Sequence, residues 1–280
     1  MAYLEYTSTP PAQMKELLIR SVSGILYVVL ITFSAFYSEL FFTGVIFLFS
    51  ALALFEFQRL IAYNSPIPLL FLALLFYGAL QLLIPQPTQW TIIGLAVLSN
   101  SLLWLQLKKK KTTPYSYPLK AALTFFYLTF SCFSILSLYQ LSEGLGPWVP
   151  IFVYSLIWIN NSFAYLVGKK WGKRHLFPAI SPKKTWEGFM GGLLFCVIGS
   201  GIYYQFQSEF ALWKFIVMGL CIATTATVGD LIQSKFKRIA QVKDSGSLIP
   251  GHGGFFDRMD SIIFSAPFVY CILYFFIYVS

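Results

Sequence analysis

The sequence predicts an all-α integral membrane protein of about nine transmembrane helices, folded as one polytopic domain over residues 1–280. Three observations carry this. Hydrophobic residues make up 57% of the chain and charged residues only 11%, with a mean hydropathy of +0.69, whereas a soluble domain carries about 25% charged residues. The apolar residues gather in nine runs of about 17–21 residues, each enough to cross a hydrocarbon core of about 30 Å at 1.5 Å per residue. The 20 Lys and Arg residues also sort by side: with the N-terminus inside, 19 lie in inner segments and only Lys214 lies outside. That is the bias of cytoplasmic loops, and it places the C-terminus outside.

In chain order, residues 1–16 are polar and contain proline, and read as a loose or surface-lying arm. The spans follow as 17–37, 40–60, 66–84, 90–107, 121–141, 148–167, 188–204, 213–231 and 259–279. The first is too long for a signal peptide and lacks a small-residue cleavage site. Between the fourth and fifth stands a run of four lysines, 108–111, which reads as a headgroup anchor. Glu56, near the inner end of the second span, stands three residues before Arg59 and reads either as its ion-pair partner or as a group of the site. Asn100 reads as a hydrogen bond between helices. Cys132, Cys196, Cys221 and Cys271 fall inside apolar runs and read as small buried hydrophobes, with neither disulfide nor zinc spacing. A net charge of +9 raises nucleic acid as a partner. The cations cluster between apolar runs, where anionic lipid or phosphate would meet them, so no nucleic acid is expected.

Residues 1–150 contribute helices alone, and the chemistry falls in 151–280. Every aspartate of the chain (Asp230, Asp244, Asp257 and Asp260) lies in the segment 229–261, with Lys235, Lys237, Arg238, Lys243, Arg258 and His252. If the eighth helix continues past the membrane, Asp230, Ser234, Lys237, Arg238 and Gln241 fall within about 100° on one face. The run Pro250-Gly251-His252-Gly253-Gly254 is a turn whose backbone N–H groups could approach a phosphate. Asp257 and Asp260 are three apart on one helical face, beside Ser261. The loop 168–188 sets six cations against one acid, Glu187, with Ser181, Lys183, Lys184 and Thr185 around Pro182. Two lysines and two hydroxyls suit a triphosphate or a phospholipid headgroup. Separated aspartates suit a hard divalent cation such as magnesium. The residues alone thus point to metal, phosphate and membrane.

At these residues the chain resembles the phosphatidate cytidylyltransferase (CDP-diacylglycerol synthase) family. The resemblance rests on Ser234, Phe236, Lys237, Arg238, Lys243, Asp244, Ser245, Leu248, Pro250, His252, Gly253, Gly254, Phe255, Asp257, Arg258, Met259 and Asp260, and extends to the loop 181–188. It covers roughly residues 158–279, the first 150 matching only as apolar helices. Where family members usually carry Asp before an Ala-Tyr pair, this chain has Asn161 ahead of Ala164-Tyr165, an amide that brings no charge. The resemblance implies transfer of a cytidylyl group from CTP to phosphatidate, with release of pyrophosphate, at the cytoplasmic edge of the cell membrane. By the same resemblance Asp230 and Asp257 hold Mg2+, and a monovalent cation such as K+ shares the site. Lys237, Arg238, Lys243 and the loop 181–187 would contact phosphates, with Asp244, His252 and Asp260 orienting them; Arg258, Ser234, Gly253, Gly254 and Asn161 complete the expected set. The implied partners are CTP, phosphatidate and the lipid bilayer, with a homodimer open. Two other readings compete. A CTP-dependent polyprenol kinase would release CDP, and a transporter of phosphorylated solutes would place its charges near the bilayer midplane between repeats, none of which is visible here.

Overall fold

The computed structural model describes residues 10–109, 115–141, 146–207, 210–248 and 253–279, with side chains from residue 21 onward. Among them nine helices take up the nine apolar runs. They are α1 (Pro10–Tyr37), α2 (Glu39–Leu60), α3 (Ile67–Leu80), α4 (Gln86–Leu105), α5 (Tyr117–Leu141), α6 (Trp148–Trp171), α7 (Trp186–Tyr204), α8 (Leu212–Ile239) and α9 (Phe256–Tyr278). Helix is the form in which an apolar run meets its backbone hydrogen bonds without water. Seven of the nine are long and apolar enough to cross a membrane, so this is a multi-pass membrane protein. The two shorter apolar stretches are Ser21–Tyr37 within α1 and the whole of α3. With 14 residues, α3 rises only about 21 Å, less than the run 66–84 promised.

Two expectations need correction. Helix α1 begins at Pro10, so the arm read over residues 1–16 is helical in its second part. The class remains all-α, but the loop 168–188 is not open. The loop between α6 and α7 folds into an antiparallel hairpin of β1 (His175–Phe177) and β2 (Ser181–Thr185), pairing His175 with Thr185 and Phe177 with Ser181. Lys183 and Lys184 therefore sit on a strand rather than in an open loop.

Helices α2, α3 and α8 stop in the same way. Ala62, Leu82 and Gln241 take left-handed φ values of 52°, 54° and 58°, each two residues past its helix end. The following N–H reaches back in each case, as in Tyr63 to the Gln58 carbonyl at 2.8 Å and Val242 to the Lys237 carbonyl at 3.0 Å. This is the usual helix-ending double bond, made without its usual glycine. It removes Gln241 from the helical face to which the sequence assigned it.

Helix α5 widens to a π-helix over Leu123–Thr129. There the Thr129 hydroxyl donates to the carbonyl of Thr124, five residues back, at 2.9 Å. Pro267 lies inside α9, and in that region Asn100 of α4 donates to the Phe264 carbonyl and to Ser131 Oγ, both at 3.3 Å. Asn100 is thus the interhelical bond expected of it. Glycine lets the C-terminal helices approach one another closely. A Cβ on Gly229 of α8 would meet the Asp260 carbonyl at 2.8 Å, and one on Gly188 of α7 would meet the Ala164 carbonyl at 2.6 Å. The first approach brings Asp230 beside Asp260. The four cysteines are free thiols in buried or half-buried positions.

Candidate active site

The C-terminal ends of α6 and α8 and the N-terminal ends of α7 and α9, with the hairpin, line a cavity of about 790 Å³. That is the size of a pocket for a nucleotide-like ligand. Its wall contains Asn161, Ser181, Lys183, Lys184, Thr185, Asp230, Lys237, Asp244, Asp257, Arg258 and Asp260, so the structure gathers most of the predicted residues.

Within it, two carboxylates each carry a lysine. Lys184 Nζ lies 2.7 Å from Asp230 Oδ2, and Lys237 Nζ lies 2.7 Å from Asp257 Oδ1. Ser234 donates to Asp230 Oδ1 at 3.3 Å, one helical turn on. Asp260 is buried at 8% exposure, accepts from the Ser261 N–H at 2.6 Å, and feels the Asp230 charge as repulsion. Two acids and two lysines at this range form a charge lattice in which each charge stands next to an opposite one. A phosphorylated ligand can enter such a lattice by taking over the lysines.

Asp257 is the most heavily bonded group. Its Oδ1 accepts from Gln233 at 2.9 Å as well as from Lys237. Its Oδ2 accepts from the Ser245 N–H at 2.8 Å, the Ser245 hydroxyl at 2.9 Å and the Gly254 N–H at 3.1 Å. Five donors fill about four lone-pair sites, so this carboxylate knits α8, the loop and the head of α9 together. The Gly254 N–H, expected to face a phosphate, is taken up here. Gly253 carries φ +85° within 2.9 Å of Asp257 Oδ2, measured from the place its Cβ would occupy, so a side chain there would be strained and crowded.

Arg238 and Glu187 brace the site from outside the cavity wall, and Thr185 braces it from within. Arg238 Nε donates to the Ile180 carbonyl at 3.3 Å, tying α8 to the turn of the hairpin. Glu187 Oε2 accepts from the Lys173 and Arg174 N–H groups at 3.0 and 3.2 Å, which fixes the start of the hairpin. Thr185 caps α7 by accepting the Gly188 N–H at 3.1 Å while also facing the cavity. Lys243 is exposed and not part of the wall. His252, Pro250, Gly251 and the lysines 110–111 lie outside the described residues.

Sequence reasoning missed other groups. Gln233 is 1% exposed on the cavity wall, and its place three after Asp230 and four before Lys237 was a usable helical signal. Asn160 donates to Thr227 Oγ1 at 3.2 Å and to Asn161 Oδ1 at 3.4 Å. Asn161 in turn donates to Ser261 at 3.5 Å. Lys169 and His175 also border the cavity, as does Tyr165. His175 enters on the hairpin, whereas Tyr165 and Lys169 line the cavity from α6.

The carboxylates offer hard oxygen donors, as a magnesium ion wants. Among the described residues, no three His, Cys, Asp or Glu side chains already converge as a ready cage. Asp260 faces the cavity with few protein partners, whereas Asp230 would have to release Lys184, and Asp257 Lys237, to ligate an ion. The donor set thus fits a cation that shares its shell with ligand phosphates rather than one caged by protein.

A helical membrane protein with an acid-and-lysine cavity at the end of its bundle is the class that fold and site define. Residues 18–276 match the family described as the cytidylyltransferase family, and the chain belongs to it. The match runs well beyond the stretch that resembled the family in sequence, into the N-terminal helices. The chain is 37% identical over 148 residues to a phosphatidate cytidylyltransferase of Aquifex aeolicus, covering 53% of this chain and 55% of that protein. It is 41% identical over 137 residues to that of Haemophilus influenzae, covering 47% of each. It is 40% identical over 133 residues to that of Staphylococcus saprophyticus, covering 47% of this chain and 50% of the relative. The chain thus spans about half the length of the curated relatives it matches.

Proposed function

We propose that the protein transfers a cytidylyl group from CTP to phosphatidate, giving CDP-diacylglycerol and pyrophosphate. The observation that carries this reading is the pairing of Asp230 with Lys184 and of Asp257 with Lys237, with Asp260 beside them in one cavity, in a chain of the cytidylyltransferase family. A phosphatidate oxygen attacks the α-phosphorus of CTP, the bond to the β-phosphate oxygen breaks, and pyrophosphate leaves. No protein nucleophile is needed. Lys184 and Lys237 exchange their carboxylates for phosphate oxygens, and Lys183 extends the positive wall along the hairpin. Asp230 and Asp257, with Asp260 beside them, would hold Mg2+, and K+ is the monovalent partner of this reading. A divalent cation bound there neutralises phosphate charge as a Lewis acid.

The arrangement by side of the basic residues supports nine crossings with the N-terminus inside and the cavity facing the cytoplasm, in the cell's inner membrane. The membrane edge suits the chemistry, since one substrate arrives from water and the other from lipid. The test is detergent-purified protein with labelled CTP. Pyrophosphate release that requires phosphatidate, and is not given by polyprenol, is the expected result. CDP release with polyprenol would make it a kinase, and no turnover with either would overturn the reading.

A further inference from the structure

Among the described residues, Glu56 is the one buried acid of the N-terminal half, whereas Glu39 is exposed. Glu56 lies near the C-terminal end of α2, is 3% exposed, and lies outside the wall of the cavity. The Arg59 guanidinium instead lies 5.8 Å from the centroid of the Phe55 ring. The Glu56 carboxylate reaches the loop of the C-terminal half. Its Oε2 accepts the Phe256 N–H at 3.0 Å, at the first residue of α9, and contacts the Ser245 hydroxyl at 3.0 Å. That same hydroxyl lies 2.9 Å from Asp257 Oδ2. Oε1 is buried with no hydrogen-bond partner among the described residues. A Cβ on either Gly246 or Gly254 would collide with this carboxylate, so both glycines leave room for it. A buried carboxylate with so few partners is costly to keep.

We infer that Glu56 is a positioning residue of the site: from the N-terminal half it sets the loop that presents Asp257, and governs turnover without touching the reacting groups. The route is short. Glu56 fixes the head of α9 through the Phe256 N–H and shares the single Ser245 hydroxyl proton with Asp257, which the Ser245 N–H also reaches. Without Glu56 the Phe256 N–H loses its acceptor and the Ser245 hydroxyl one of its two carboxylates. Asp257 then rotates more freely against Lys237. The helices of residues 1–150 thereby acquire a specific task in the reaction.

The experiment measures amide hydrogen exchange over residues 244–258 in detergent-solubilised full-length protein, beside steady-state kinetics. The inference rests on the cytidylyl-transfer reading for its kinetic arm only, and exchange decides it even if that reading fails. In E56A the amides of Ser245, Gly254 and Phe256 should exchange at least about tenfold faster, with α7 unchanged. Its kcat should fall at least about tenfold while KM for CTP stays within about threefold. E56Q should retain most of both properties, because an amide oxygen in the place of Oε2 can still accept from the Phe256 N–H and the Ser245 hydroxyl. The E56A/S245A double variant should lose no more kcat than the worse single variant, since both act on one path. Unchanged exchange in folded E56A, or damage in E56Q equal to that in E56A, would overturn the inference. Should E56A fail to fold, protected amides in E56Q with exposed ones in S245A support it, and exposed amides in E56Q sink it.

Discussion

The N-terminal helices and the C-terminal helices are equally rich in buried polar side chains but spend them differently. In α5 the hydroxyls of Thr124, Ser134 and Ser137 each donate to the carbonyl four residues back in their own helix, at 2.8, 2.9 and 3.0 Å. Such groups satisfy themselves and reach nobody else. In the C-terminal half, Asp257 draws its five donors from α8, from the loop and from the turn before α9. Thr225 of α8 meets Ser265 of α9 at 2.9 Å, and Asn160 of α6 meets Thr227 of α8 at 3.2 Å. Polarity inside a membrane bundle therefore marks chemistry only when it links elements. By that measure Glu56 belongs functionally to the half it touches, not to the half that carries it.

The largest effects should come from the linked carboxylates. Asp230→Asn and Asp257→Asn are each expected to lower turnover at least about a hundredfold, a barrier rise of about 2.7 kcal/mol. The two should part in a second measurement. Asn at 257 turns an NH2 toward donors that need an acceptor, so loop amides should exchange faster in that variant and not in Asp230→Asn. Equal loop behaviour in both would show that Asp257 is no more a structural hub than Asp230.

Lys184→Ala comes next. It removes the cation 2.7 Å from Asp230 on a strand braced from behind, and should raise KM for CTP or phosphatidate about tenfold, near 1.4 kcal/mol, with the fold intact. Kinetics unchanged for both substrates would return the hairpin to a purely topological role. The self-bonded hydroxyls give the opposite limit. Ser134→Ala and Ser137→Ala should keep turnover within about twofold and stability within about 1 kcal/mol; a tenfold loss in either would break the contrast between the halves. The smallest effect belongs to Gln241→Gly. Relieving a φ of 58° at the stop of α8 should raise the thermal midpoint by about 1–2 °C, offset in part by unfolded-state entropy. A lowered midpoint would mean that the Gln241 side chain itself holds the turn.

Much of the site was legible because its residues lie close in sequence. Asp230, Ser234 and Lys237 share a helical face by periodicity alone, and Asp257 and Asp260 do so at three residues' spacing. Legibility failed wherever a partner came from a distance. Glu56 has Arg59 within reach on its own helix, and the sequence alone could not choose between that cation and a loop 189 residues away. Arg238 and Glu187 looked like phosphate ligands by charge, yet backbone groups of the hairpin claim them. The hairpin itself was hidden, since strands of three and five residues carry no periodicity long enough to read.

By itself the sequence determined the class of the molecule, the runs that become its helices and the segment that carries its acids. Those follow from hydropathy and local spacing, which a chain expresses before it packs. Only the tertiary structure decided which acid is fully bonded, which cation faces the cavity and which helix outside the site reaches into it. Those depend on helix ends meeting at glycine-lined approaches such as Gly229 on the Asp260 carbonyl. A shift of about an ångström there exchanges one hydrogen-bond partner for another, and no local pattern encodes so fine a distance.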